Sequence, residues 1–195
     1  MTPSRGTERS RRASRRAALW AGVALLATTA LGAVAYVRYD ALTDWVFYTR
    51  WGTDPAHLPY DPHADARRDI AEAKARAAAE GKMLMITFGA NWCPDCLTLH
   101  NNLEAPGTRE YAREKFEMVN VDVGEFDKNA AVAHELGVKV NGIPLAVFYS
   151  SDGRPICDTQ SGELEPSRHY TSRQILDFLR EVADYRRVVS PDQRQ

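Results

Sequence analysis

Cys93 and Cys96 are separated by two residues and follow an apolar run, Met83-Leu84-Met85-Ile86-Thr87-Phe88, that ends in the small turn Gly89-Ala90. Pro94, directly after the first cysteine, suits the first turn of a helix, where its missing N–H needs no partner. A thiol at a helix N-terminus faces unpaired backbone N–H groups and the positive end of the macrodipole, and both favour the thiolate. Cys96, one turn later on the same face, is placed to attack the sulfur that Cys93 has just engaged. The chemistry expected is disulfide exchange, with Cys93 as nucleophile and Cys96 as resolving thiol, leaving a Cys93–Cys96 disulfide. Half of a zinc site has the same spacing, but the remaining cysteine, Cys157, stands alone and the five histidines show no ligand spacing. A redox pair without metal or other cofactor is therefore the reading.

Neighbouring residues would tune the pair. Asp95, between the cysteines, suits the helix dipole but stabilises neither thiolate, so it favours a less oxidising pair than a cationic residue would. It could equally be an exposed acid that only helps the helix. Trp92 either shields one side of the site or merely packs. His100 could share the helix face of the cysteines, although a solvated histidine is the simpler reading. Cys157, beside Ile156, reads as a small buried hydrophobe on a strand. Asp122, Glu125, Asp127 and Asn129 resemble a cation loop only loosely and read as a solvated loop.

The elements that must hold these residues can be placed from periodicity and punctuation. A helix is expected from Ala64 to Gly81, a buried strand over Lys82–Gly89, and a helix from the cysteines to Pro106-Gly107. A short helix (Thr108 to Lys115), a strand (Phe116 to Val123) and another short helix (Asn129 to Leu136) come next. After Gly142-Ile143-Pro144 comes the strand Leu145–Tyr149, and Ser151-Asp152-Gly153 signals a hairpin into Arg154–Thr159. Thr171 and Gln174 form a capping box for the last helix, with Ile175, Phe178, Leu179 and Val182 facing inward. This order predicts an α/β domain, a mixed central sheet with helices on both faces.

Strand, Trp92-Cys93-Pro94-Asp95-Cys96, helix and, far downstream, Gly142-Ile143-Pro144 before an apolar strand together resemble the thioredoxin superfamily over roughly residues 64–186. With Ala90-Asn91-Trp92 before the cysteines, the motif is similar to bacterial thioredoxin-like proteins. The resemblance implies a thioredoxin-like fold and a cis Ile143–Pro144 bond whose loop lies beside the cysteines. Ile143 would then offer its backbone to an extended substrate segment, while Pro144 faces the sulfurs and keeps metal out. Two departures stand out. Thioredoxins place a buried Asp where Thr87 stands and a Lys where Met118 stands, a pair thought to relay protons to the resolving cysteine. Another acid, Asp95 or Glu125, would have to substitute.

The 195 residues, 44% hydrophobic, suit one domain with appendages. Residues 1–16 hold six Arg against one Glu, so the near-neutral total hides a basic tail and an acidic remainder. Residues 17–37 carry no charge, and about 20 such residues span a bilayer with the Arg cluster kept cytoplasmic. Alternatively Ala33-Val34-Ala35 fits the end of a cleaved signal. Either way the expected order is a basic tail (1–16), an anchor or signal (17–37), an aromatic-rich juxtamembrane spacer (38–62), the domain (63–189) and a short tail (190–195). The expected location is the bacterial inner membrane with the domain in the periplasm, or the periplasm itself after cleavage. Partners would be protein disulfides or dithiols, an electron donor or acceptor, and the membrane, but not nucleic acid. The function expected is a thiol-disulfide oxidoreductase leaning to reduction or isomerisation. The alternatives are a binding module for exported proteins whose redox chemistry is incidental, or delivery of thiols or metal for cofactor assembly.

Overall fold

The computed structural model describes residues 58–187 together with Trp20. The chain divides into two units, residues 1–46 and 47–195, and residues 58–187 belong to the second. The basic tail, the expected anchor or signal (Trp20 apart) and most of the spacer lie outside the described residues. No helix among the described residues is long and apolar enough to cross a membrane.

Helix α1 (Ala66–Glu80) begins where the Asp65 side chain accepts the Arg68 N–H and ends at Gly81 in the left-handed conformation, which costs glycine nothing. It leads into β1 (Met83–Gly89), buried at all but its first residue. Then come α2 (Pro94–Glu104), α3 (Thr108–Lys115), β2 (Phe116–Asp122), α4 (Ala130–Glu135), β3 (Leu145–Tyr149) and β4 (Pro155–Asp158). A 3-10 turn (Ser167–His169) precedes α5 (Ser172–Ala183), which opens on the expected capping box between Thr171 and Gln174.

The sheet order is β2-β1-β3-β4. β1 runs parallel to β2 and antiparallel to β3, and β3 is antiparallel to β4. Because side chains alternate across a strand, Leu84, Ile86, Phe88, Val121, Leu145 and Val147 build a core with α1 and α4 on one face. Met85, Phe116, Ala146 and Phe148 build the other with α2, α3 and α5. Phe148 is fully buried there, with its ring edge-on to Phe116 and tilted to Phe178 at 6.0 Å each. Each side chain buried to this degree contributes about 1.5–3 kcal/mol relative to exposure. Phe178 lies less deep than the sequence suggests and packs against this core half-buried.

One boundary moves. Tyr60, placed by sequence in the spacer, is 1% exposed and belongs to the first core. Its aromatic ring gains more from the apolar interior than from the surface, so the domain begins before residue 63.

Candidate active site

The turn after β1 delivers Cys93 to the N-cap of α2, where its Sγ accepts the Cys96 backbone N–H at 3.3 Å. Pro94 opens the helix, exposed and with no N–H to satisfy. The Ile143–Pro144 bond is cis, and the Cys93 thiol points to the Ile143 carbonyl at 3.8 Å. The fold thus brings Cys93, Cys96, Ile143 and Pro144 together from two ends of the domain. All four are buried. Cys93 keeps 4% of its surface and Cys96 none, so the pair is less open than the sequence suggests. The loop before β3 lies against one side of it through the Ile143 carbonyl, and an incoming sulfur would meet the small exposed part of Cys93.

The two sulfurs titrate in opposite directions. Cys93 is lowered to about 7, first by the hydrogen bond from the Cys96 thiol and then by the Cys96 and Asp95 backbone N–H groups, against burial and the Asp95 charge. Cys96 is pushed up because its proton is held between the sulfurs and because it is buried, with the Ala90 amide partly opposing. One proton is therefore shared, and it stays with the inner thiol. Both cysteines are free thiols in this structure.

Asp95 is not the exposed acid that sequence allowed. It is 8% exposed, accepts the Arg168 N–H at 2.9 Å and pairs with the Arg168 guanidinium at 3.2 Å. This ties α2 to the 3-10 turn and occupies both carboxylate oxygens, which removes Asp95 as the substitute proton carrier. Glu125, the other candidate, is exposed. Thr87 is buried and Met118 half-buried, so neither thioredoxin partner has a charged replacement in place.

Trp92 remains 48% exposed, donates from its indole N–H to the Gly124 carbonyl at 2.8 Å and lies 5.9 Å from the Phe126 ring. Phe126 is itself 47% exposed and adopts φ +66, a conformation that costs a residue with a side chain about 1 kcal/mol. Two large rings thus stand in water beside the cysteines. Around them, Asp122 pairs with Lys128 at 3.3 Å, Asp127 accepts the Glu125 N–H, and Asn129 donates to the Asp122 carbonyl. These bonds tie the loop to itself, and Asp122 is buried instead of solvated. His100 is half-buried and its charged form disfavoured by that burial, against the surface position expected of it.

Sequence reasoning missed Tyr60, Arg168 and Phe126. Gly89 carried a signal for the first, since a Cβ there would overlap the Tyr60 phenol carbon and oxygen. Asn91 carried another. Its amide forms a reciprocal pair with the Tyr60 backbone, Tyr60 N–H to Oδ1 at 3.1 Å and Nδ2–H to the Tyr60 carbonyl at 2.6 Å.

Residues 65–151 match a family model described as thioredoxin-like. The crystal structure of a disulphide isomerase from Xylella fastidiosa Temecula1 is 35% identical, with a TM-score of 0.61 over 65% of this chain and 97% of that one. A DsbH oxidoreductase is 18% identical with a TM-score of 0.45, over 68% and 90% of the two chains. The oxidised C-terminal domain of Neisseria meningitidis DsbD is 17% identical with a TM-score of 0.44, over 60% and 96%. No curated protein sequence matches significantly. With the cysteine pair, the sheet order and a relative of over one-third identity covered almost end to end, the chain belongs to the thioredoxin-like family of thiol-disulfide oxidoreductases.

Proposed function

We propose that the domain acts outside the cytoplasm on protein disulfides, with Cys93 as nucleophile and Cys96 as resolving thiol, in the direction of reduction or isomerisation. The observation that carries this reading is the Cys93 sulfur at the N-cap of α2, taking the Cys96 N–H while Cys96 keeps its own proton. The Cys93 thiolate attacks a substrate sulfur, forming a mixed disulfide and expelling the other substrate sulfur as a thiolate. Cys96 then attacks the Cys93 sulfur, the Cys93–Cys96 bond forms, and the substrate leaves with two electrons and two protons. For isomerisation, the first bond is instead displaced by another substrate thiol and the pair returns reduced. Net reduction needs an external dithiol to reset the pair.

The direction rests on Asp95, whose charge opposes both thiolates and so stabilises the reduced pair less than a neutral or cationic neighbour would. The 35% identical relative described as a disulphide isomerase points the same way. Export rests on the Arg-rich start and the uncharged run 17–37, by which the chain would be anchored in a bacterial inner membrane with the domain on the periplasmic side, or released there by cleavage. Ile143 and Pro144 would flank an extended substrate segment, and Trp92, Pro94 and Asp95 would set the environment of the sulfurs.

The Trp92–Phe126 pair favours one second reading, a binding module for apolar segments with incidental redox chemistry. Trapping separates the two. In a Cys96→Ser variant expressed with its exported clients, mixed disulfides through Cys93 should accumulate, and Cys93→Ser should abolish them together with turnover. Client binding that ignores both substitutions would establish the binding module instead.

A further inference from the structure

Between the loop that carries Ile143 and the helix that carries Cys93 runs one further segment, residues 162–168, and disulfide exchange itself makes no use of it. It is pinned from within. Leu164 is 1% exposed and packs in the second core, Ser167 is fully buried with its hydroxyl donating to the Leu164 carbonyl, and the Glu165 N–H donates to the Gly162 carbonyl at 3.1 Å. Glu165 is therefore presented from a fixed frame.

The segment touches both elements that meet at Cys93. At its end, Arg168 pairs through its guanidinium with Asp95 in the first turn of α2 at 3.2 Å. Glu165 lies against the loop before β3. A Cβ on Gly142 would overlap its carboxylate, and one on Gly162 would stand 3.3 Å from its carboxyl carbon. The carboxylate occupies the space that these two glycines leave. Gly142 is joined to Ile143, whose carbonyl lies 3.8 Å from the Cys93 sulfur. The Glu165 charge thus stands one residue from the point at which the backbone meets the nucleophile.

The charges of this segment do not cancel. Asp95 is neutralised by Arg168, while Glu165 is exposed and pairs with no cation among the described residues. Glu163, two positions earlier, lines a recess on the α5 side with Tyr170 and Phe178. Another exposed acid, Glu125, belongs to the loop that carries Phe126. A client segment laid along Ile143 would pass the Glu165 carboxylate with nothing of opposite sign to screen it.

We propose that Glu165 is a specificity-determining residue of the exchange reaction, selecting client segments that carry a lysine or arginine close to the reactive cysteine. This rests on the disulfide-exchange reading of the pair. A basic side chain is drawn toward Glu165 during encounter and forms an ion pair once bound, whereas an acidic one is repelled. The pair forms at the surface, so its effect is modest and fades with salt.

Three peptides of identical length test it, each with one cysteine capped as a mixed disulfide with nitrothiobenzoate. Two residues away on both sides stands lysine, glutamine or glutamate. With the reduced full chain, the Cys93 thiolate bonds to the peptide sulfur and expels the coloured nitrothiobenzoate thiolate. Cys96 then attacks Cys93, and the peptide leaves as a thiol with the proton that Cys96 gave up. At low salt the second-order rate of colour release should fall in the order lysine, glutamine, glutamate, with lysine ahead of glutamate by about tenfold. Salt at about 1 M should compress that ratio. Glu165→Gln should shrink it to about twofold or less, Glu165→Lys should invert it, and Glu125→Gln should leave it near the wild-type value.

Equal release from all three peptides, a ratio kept intact in Glu165→Gln, or one lost in Glu125→Gln instead, overturns the inference and leaves the exchange reading standing. A preference for glutamate would assign the client contact to Arg168 and overturns it likewise. Release from none of the peptides overturns the exchange reading, and the selectivity built on it falls at the same time.

Discussion

Cys93 and Cys157 lie on opposite faces of the sheet and are almost equally hidden, at 4% and 6% exposure. Their chemistry diverges nonetheless. Cys93 is lowered to about 7, whereas Cys157 is raised to about 12 by burial, with the Asp158 charge adding to it. Both have lost water, and only Cys93 has been given hydrogen-bond donors in return, the Cys96 thiol proton and two helix N-terminal amides, whereas Cys157 has no more than the Arg187 charge opposing its burial. Cys157 sits in β4 opposite Phe148, and burial and neighbouring charges, with no hydrogen bond, set its titration. What distinguishes a nucleophile from a packing residue here is the supply of donors. Burial is common to both.

The comparison is broken or upheld most sharply by reactivity. Timed alkylation of the reduced chain, read by mass spectrometry, should label Cys93 with a rate that rises through pH 7 and levels off above it. At neutral pH Cys157 should be slower by roughly four to five orders of magnitude, since the thiolate fraction scales with the gap between the two titrations. Parallel labelling of the two would remove the contrast.

Stability should follow with opposite signs. Cys93 has a depressed folded value, so its thiolate stabilises the reduced fold above its unfolded titration near 8.5 and loses that contribution as pH falls through about 7. Cys157 has a raised folded value, so its contribution is complete below about 8.5 and is lost as pH rises toward about 12. At pH ~10 the loss amounts to about 2 kcal/mol from the unfolded chain's ionisation alone. Denaturant titrations of wild type and Cys157→Ala should therefore converge with rising pH. Curves that stay parallel up to pH ~10 would show that Cys157 ionises freely in the fold.

Much of this contrast was legible in sequence, and the reasons differ by residue. The helix at the cysteines could be read because Pro94 and the Gly89-Ala90 turn act locally, within one turn of the backbone. β1 and β3 could be read as strands from their unbroken apolar runs and β2 from partial alternation, while the face each side chain takes is set by the two cores the structure builds. Tyr60 escaped because three prolines and several aromatics around it signal a spacer, while its actual anchor is the absence of a side chain at Gly89, 29 residues away. Arg168 escaped for a similar reason. Its partner Asp95 is 73 positions distant, and nothing in the local pattern of either charge announces the other. Sequence periodicity reports local order, and the site's tuning depends on contacts between segments.

Asp95 gives the finest test of the donor argument, because it is the one group at the pair that works against both thiolates. Replacing it by Asn preserves shape and leaves an amide oxygen to accept the Arg168 N–H now received by Oδ1. Only the charge is lost, and with it the ion pair to a guanidinium that is 58% exposed, worth at most about 1 kcal/mol. Removing the negative charge, and leaving the Arg168 cation unneutralised, should move the Cys93 titration below its present value. A more stable thiolate stabilises the reduced pair, so the Asp95→Asn pair should become more oxidising, by on the order of 10–30 mV. Equilibration against a glutathione buffer measures the potential, and the Cys93 alkylation profile measures the titration in the same samples. Both should move together. A potential that falls, or a titration that rises, would mean that Asp95 acts by holding the 3-10 turn against α2 and that its charge is already cancelled by Arg168.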